Sequence, residues 1–167
     1  NLLGGVTCSC GKTHTCDIKY VYIENNATER LKEICRDNSN ILIVADQNTF
    51  NAAGEKTVAA LQDKHIKKVI FSGDKILVPN ENAIAEVVNS LENADLIIGI
   101  GSGVIQDLCK YVSFYNKVPY LIVATAPSMD GYASNGAAMI TDGGKVTYPA
   151  GLPKAIIADT QVLAKAP

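Results

Sequence analysis

Apolar residues fall along this chain in two patterns that take turns: short continuous runs, and longer stretches spaced at helical period. Ile18-Lys19-Tyr20-Val21-Tyr22-Ile23 alternates and is rich in β-formers, which predicts a strand. Ala27 to Arg36 places Leu31, Ile34 and Cys35 on one helical face. Ile41-Leu42-Ile43-Val44, within Asn40 to Ala45, is continuous in the manner of a strand buried on both faces, and it ends at Asp46. A helix starting near Phe50 or Ala53 runs through Thr57, Val58, Leu61 and Lys64, with His65 read as a solvated residue at its end. Lys68-Val69-Ile70-Phe71 is the next strand, and Ser72-Gly73-Asp74 and Pro79-Asn80 punctuate a loop. Ala83 to Leu91 follows as an amphipathic helix with Ile84, Val87, Val88 and Leu91 on one side. Leu96-Ile97-Ile98 opens another buried strand, a helix continues to Lys110, and Pro119 to Ala124 is a further strand. Strand and helix thus alternate from Ile18 to Val123, which predicts an α/β fold: a Rossmann-like parallel sheet with helices on both faces. Beyond Thr125 the pattern changes. Ala137 to Thr141 and Lys145 to Tyr148 flank Asp142-Gly143-Gly144, a C-terminal β-hairpin, and Ala155 to Asp159 reads as a last strand.

The run from Leu96 to Lys110 organises the rest. Gly99, Gly101 and Gly103 fall within five residues at the change from strand to helix. Glycine there allows a tight turn and a close backbone approach, and the first helical turn offers free N–H groups that favour an anion such as a phosphate or pyrophosphate. Read plainly, the same glycines serve strand-to-helix packing. Asp107 and Lys110, three apart, share a helix face; taken alone they read as a solvated surface pair. Asp46 also has two readings: a strand-end acid that accepts bonds from the adenosine ribose hydroxyls, or a cap for the following helix. In parallel sheets ligands bind outside the carboxyl ends of the strands, and Asp46, Gly101–Asp107 and the segment after Val123 all fall there.

A net charge of −2 lacks the basic stripe of a nucleic-acid binder, and no apolar run approaches the roughly 20 residues of a bilayer span. With 47% hydrophobic and 19% charged residues, a sizeable core is expected. No leader peptide is visible, but the chain begins at Asn1, so that observation carries no weight. The five cysteines, with Cys35 and Cys109 in predicted helices, fit a reducing cytoplasm better than a disulfide framework. Cys8, Cys10, His14 and Cys16 are all good zinc ligands, yet Cys-x-Cys is tighter than the usual structural spacing. The favoured expectation is that residues 1–17 form a reduced, irregular lead-in without a metal.

Three segments, in order, carry a resemblance: Gly101-Ser102-Gly103-Val104-Ile105-Gln106-Asp107-x-x-Lys110, then Thr125-Ala126-Pro127-Ser128-Met129-Asp130-Gly131-Tyr132-Ala133-Ser134, then Ile157-x-Asp159-Thr160. Together they resemble the N-terminal, cofactor-binding half of the sn-glycerol-1-phosphate dehydrogenase family, within the wider group of metal-dependent alcohol dehydrogenases, glycerol dehydrogenases and dehydroquinate synthases. The second segment is the specific one; the glycine turn is shared by the whole group. The Cys-x-Cys-Gly-x-x-His segment is also similar to the N-terminus of bacterial members.

The resemblance implies roles. Gly101, Ser102, Gly103, Val104, Ile105, Gln106 and Asp107 would hold the pyrophosphate and nicotinamide side of the cofactor. Thr125, Ala126, Pro127, Ser128 and Ser134 would line the cofactor site, Asp130 would contact the polyol substrate, and Asp46 would meet the adenosine ribose. The implied cofactor is NAD, with NADP admitted, and the implied reaction is hydride exchange between NAD(P)H and dihydroxyacetone phosphate. For Asp130 the plain reading is an Asp-Gly turn residue, and for Thr125, Ser128 and Ser134 it is local turn bonding.

Two departures stand out. Ser102 occupies the middle of the glycine triplet. The family's zinc or similar divalent ion is held by one aspartate and two histidines from a helical C-terminal domain, and His14 and His65 do not match those positions. Residues 1–167 are therefore expected to be a cofactor-binding domain, with weak cofactor binding at most, no turnover in isolation, and self-association through apolar surface. The alternatives are part of a glycerol dehydrogenase or a dehydroquinate-synthase-like enzyme, against which Met129-Asp130-Gly131-Tyr132 argues, or a non-catalytic nucleotide- or zinc-binding module.

Overall fold

The computed structural model describes residues 5–167. Six strands form one parallel sheet: β3 (Tyr20–Glu24), β4 (Asn40–Asp46), β5 (His65–Phe71), β6 (Leu96–Gly101), β7 (Tyr120–Ala124) and β10 (Ala155–Asp159), in the spatial order β3-β10-β7-β6-β4-β5. A short hairpin, β1 (Val6–Thr7) and β2 (Thr13–His14), precedes the sheet, and a longer one, β8 (Gly136–Thr141) and β9 (Gly144–Pro149), is inserted before β10. The helices are α1 (Leu31–Ile34), α2 (Gln47–Ala60), α3 (Glu81–Asn89), α4 (Gly103–Asn116) and α5 (Thr160–Leu163).

Alternation along the central strands sorts their side chains onto two faces. Ile41, Ile43, Ala45, Leu96, Ile98 and Ile100 pack on one side with Ala53 and Leu61 of the α2 region. Leu42, Val44 and Ile97 pack on the other with Val87 of α3 and Leu108, Cys109 and Val112 of α4. On that second face β6 presents Gly99 and Gly101. A Cβ at Gly99 would lie 2.9 Å from the Cys109 Sγ, and one at Gly101 would lie 2.7 Å from the Ile105 Cβ. The missing side chains are what let α4 press against β6. The longer hairpin covers the outer side of α4 with Ala137 and Met139, and Tyr148 meets Tyr111 edge-on at 5.2 Å. Its tight turn needs positive φ at Asp142 (51°) and Gly143 (74°), the pair of angles that matches hairpin twist.

Several expectations are corrected. The first helical stretch is a 3-10 turn, Ala27–Arg30, running into the single turn α1, and Cys35 falls just past it. Helix α2 begins at Gln47, earlier than Phe50 or Ala53. The Asp46 carboxylate accepts the Thr49 N–H at 2.9 Å, and the Thr49 hydroxyl accepts the Asp46 N–H at 3.1 Å. This reciprocal cap starts the helix on polar residues that carry no apolar period. His65 opens β5, opposite Asn40, instead of ending a helix. Residues 5–17 are not irregular throughout, because β1 pairs with β2; Asn1 to Gly4 of that lead-in lie outside the described residues.

Asp159, at the end of β10, is fully buried. Its carboxylate accepts the Gln161 N–H at 2.9 Å, capping α5, and bonds the Lys56 Nζ of α2 at 3.1 Å. Burial works against its charge, but the Lys56 ammonium and the Gln161 and Asn26 N–H groups outweigh that and hold Asp159 below the ordinary carboxylate value of 3.8. A depressed folded pKa stabilises above the unfolded value and loses that contribution as pH falls through the folded one. Asp159→Ala is expected to cost about 2 kcal/mol at neutral pH, discounted because Lys56 is partly exposed. Urea melts from pH 7 down to acid should bring the two proteins together as pH drops below 3.8; a constant gap would contradict this account.

Candidate functional site at the carboxyl edge of the sheet

The chain leaves β4 into α2 on one face and leaves β6, its neighbour, into α4 on the other. This divergence is a topological switch point, where a crevice opens outside the strand ends. Two adjoining clefts occupy it. The larger, of about 400 Å³, lies between the start of α2, Ser102, Thr125, Ala126 and the α5 region, and its side-chain charges are the ammonium groups of Lys56 and Lys165. The smaller, of about 240 Å³, is lined by Asp46, Ser72, Lys75, Val104 and Ile105 among others. Asn48 and Ser102 border both.

Helix amino ends distinguish the two sides of this crevice. Side chains cap α2 (Asp46), α3 (Asn80) and α5 (Asp159). The fourteen-residue α4 has Ser102 in the capping position with no side-chain hydrogen bond, and its first intrahelical donor is the Gln106 N–H, bonded to the Ser102 carbonyl at 2.9 Å. The N–H groups before Gln106 thus point out of the helix end at the crevice without a cap. That leaves the positive end of the helix dipole available to an anion.

The residues singled out in the sequence separate into groups. Asp46, Ser102, Val104, Ile105, Thr125 and Ala126 line the clefts. Asp46 spends one oxygen on its cap, so the capping role is real. Gly101 is buried and makes room for Ile105; Gly103 is half-buried beneath Met129, whose methyl would lie 2.9 Å from an added Cβ. Gln106 and Asp107 do not line the clefts. Gln106 is buried and donates from Nε2 to the Gly131 carbonyl at 3.0 Å. Asp107 is half-buried against the hairpin: burial pushes its carboxyl up, opposed by Lys110, the Ala138 N–H and Lys145. Pro127, Ser128, Asp130 and Ser134 are exposed on the loop beyond β7 and line neither cleft. Ser134 makes the local turn bond, accepting the Gly136 N–H at 3.2 Å.

Lys110 is fully buried, not half of a solvated surface pair. Its Nζ donates to the carbonyls of Gly131 (3.0 Å) and Gly136 (3.1 Å). Burial lowers its pKa, and Asp107 opposes that. With Gln106 it latches the loop bearing Asp130 onto α4, while the Tyr132 hydroxyl donates to the Ala126 carbonyl at 2.8 Å. The three-residue spacing of Asp107 and Lys110 was visible in the sequence; the carbonyls that bury the ammonium were not.

The sheet, the switch point and the open helix end define a Rossmann-like α/β protein with a glycine-turn crevice. Residues 22–167 match the family model described as iron-containing alcohol dehydrogenase, and the chain belongs to that family. It is 32% identical over 157 residues to the glycerol-1-phosphate dehydrogenase [NAD(P)+] of Geobacillus thermodenitrificans, covering 90% of this chain and 39% of that protein. With the enzyme of the same description from Thermoplasma volcanium it shares 31% over 150 residues, 88% of this chain and 42% of that one. The chain thus spans about two-fifths of the length of these curated relatives. Among solved structures, the fold is shared with an iron-containing alcohol dehydrogenase from Thermococcus thioreducens (TM-score 0.80, 13% identity, 91% of this chain and 48% of that one). It is shared too with the glycerol dehydrogenase of Schizosaccharomyces pombe (TM-score 0.75, 22% identity, 90% and 39%).

Two substitutions separate packing glycine from crevice glycine. Gly101→Ala forces a Cβ against Ile105 and should destabilise by about 1–3 kcal/mol, whereas Gly103→Ala meets only the flexible end of Met129 and should stay within about 0.5 kcal/mol in urea melts. Lys110→Met removes two charge-assisted bonds, while Gln106 still serves the Gly131 carbonyl, and should cost about 1–2 kcal/mol. Hydrogen exchange across residues 126–136 should quicken in that variant, and unchanged exchange there would remove the latch.

Proposed function

We propose that this chain is the dinucleotide-binding part of an NAD(P)-dependent dehydrogenase that interconverts dihydroxyacetone phosphate and glycerol 1-phosphate. The observation that carries the reading is the uncapped amino end of α4 at the switch point, beside a cleft whose side-chain charges are basic. The backbone N–H groups from Gly103 to Ile105 would receive the pyrophosphate. Asp46 keeps one carboxylate oxygen beyond its cap for the adenosine ribose, and its charge disfavours a 2′-phosphate, so NAD is the preferred partner with NADP admitted. Thr125 and Ala126, and past them Pro127, Ser128 and Ser134, would lie along the nicotinamide side, with Asp130 reaching a polyol hydroxyl from the latched loop. The bound nicotinamide supplies the hydride chemistry; these residues position it and shield it from water.

The curated relatives are named for the same substrate and cofactor, and they support this assignment. The family's divalent metal does not fit the crevice residues described here. His65 lies at the amino edge of the sheet and His14 in the first hairpin, and the Cys8, Cys10 and His14 group is the metal-capable cluster among the described residues. The ligands of the family's divalent ion are therefore placed in residues outside this chain. Residues 1–167 alone, given zinc, NADH and dihydroxyacetone phosphate, are expected to show no oxidation of NADH at 340 nm.

No helix among the described residues is long and apolar enough to cross a membrane. Five free cysteines support a reducing cytoplasm as the setting. Exposed Ile23 and Ile76 support self-association.

Calorimetry with NADH and NADPH tests the reading. Gly103→Asp sets a negative charge at the helix end and should weaken NADH at least about tenfold, or about 1.4 kcal/mol, with the melting temperature unchanged. Asp46→Asn keeps a capping oxygen and removes the charge, so the NADPH-to-NADH affinity ratio should rise by about the same factor. A protein that binds neither nucleotide, with Gly103→Asp indistinguishable from it, would end this assignment.

A further inference from the structure

We propose that the hairpin β1–β2 is a zinc site, with Cys8, Cys10 and His14 as its protein ligands and water in the fourth position. The ligand atoms of these three residues lie within 4.8 Å of one another, and the Cys10 Sγ is 3.3 Å from the His14 Nε2. Around a tetrahedral zinc with Zn–S near 2.3 Å and Zn–N near 2.1 Å, neighbouring ligand atoms sit roughly 3.4–3.8 Å apart. Closing on an ion therefore asks for side-chain rotation, not for a new backbone.

The backbone is arranged to bring them together. Val6 pairs with His14 and Thr7 with Thr13, so the end of one strand faces the end of the next. Between them the Cys8 N–H donates to the Lys12 carbonyl at 2.9 Å and the Gly11 N–H to the Cys8 carbonyl at 3.0 Å. Gly11 takes φ +80°, a left-handed turn residue with open space around it. The Cys-x-Cys spacing that argued against a site is offset by His14, which comes from the returning strand.

Among the described residues nothing else accounts for this hairpin. Its strands have two residues each, Val6 is exposed, and no described residue of Val6 to His14 joins a hydrophobic cluster. A two-stranded hairpin of that size is not stable in water unaided and needs a staple. Two thiolates and an imidazole suit a borderline-soft divalent ion and not magnesium or calcium. Cys16 is not a ligand: it packs beside Ile18, Ile122 and Ile156, outside the group of three.

The test uses the reduced, untagged protein carrying this chain. Cobalt(II) should give the near-ultraviolet thiolate-to-metal charge-transfer band, removed by one equivalent of zinc. Cys16→Ser should keep the band. Cys8→Ser/Cys10→Ser should lose it and weaken zinc by roughly two orders of magnitude in chelator competition. Hydrogen exchange across residues 5–15 should slow with zinc in the wild type and not in the double variant. The thiolate band reports sulfur ligation, so a metal bound elsewhere by oxygen and nitrogen does not mimic it. The proposal is overturned if the band is absent or if it survives the double substitution.

Discussion

The contact between α4 and β6 is the constraint from which the crevice follows. A helix can lie this close to a strand only where the strand offers no side chains, and Gly99 and Gly101 supply that bare surface to Cys109 and Ile105. Once α4 is seated, its amino end must emerge at the carboxyl edge of the sheet, next to Ser102, where no side chain caps it. The glycines thus act first through packing. Their effect on an anion is indirect, through the place and direction they impose on the helix dipole.

The same helix organises the opposite wall. Gln106 and Lys110, one turn apart, hold the Gly131 carbonyl, and Lys110 also holds Gly136. A buried ammonium is tolerated because those carbonyls and Asp107 replace its water. The exposed loop from Pro127 to Asp130 is therefore tied to the rigid part of the fold at its far end, while the Tyr132 hydroxyl closes it on Ala126. Asp46 combines two tasks on a smaller scale: one oxygen starts α2, and the residue still borders the smaller cleft.

The first hairpin stands apart from this machinery. It is built on cysteine and histidine where the sheet is built on branched aliphatics, and its coherence depends on a different bond chemistry. Placing a metal there is separate from the metal of the family's chemistry, for which the crevice residues described here supply no ligand set.

Much of the architecture was legible in residue order. Continuous apolar runs at Ile41–Val44 and Leu96–Ile98 called for buried parallel strands, and Asp142-Gly143 called for a hairpin turn, because these signals act over a few neighbouring residues. The gathering of Asp46, the glycine turn and Thr125 at one edge followed from topology alone. What the sequence could not decide was partnership between distant residues. Whether Lys110 met water or two carbonyls more than twenty residues away, and whether Gln106 faced a cofactor or a loop, depended on how α4 met the later chain. Whether Cys8, Cys10 and His14 converged depended on the pairing of β1 with β2. Local pattern determines which elements form, since each is set by its own backbone and nearest side chains. Only the folded chain decides which polar atoms replace each other's water.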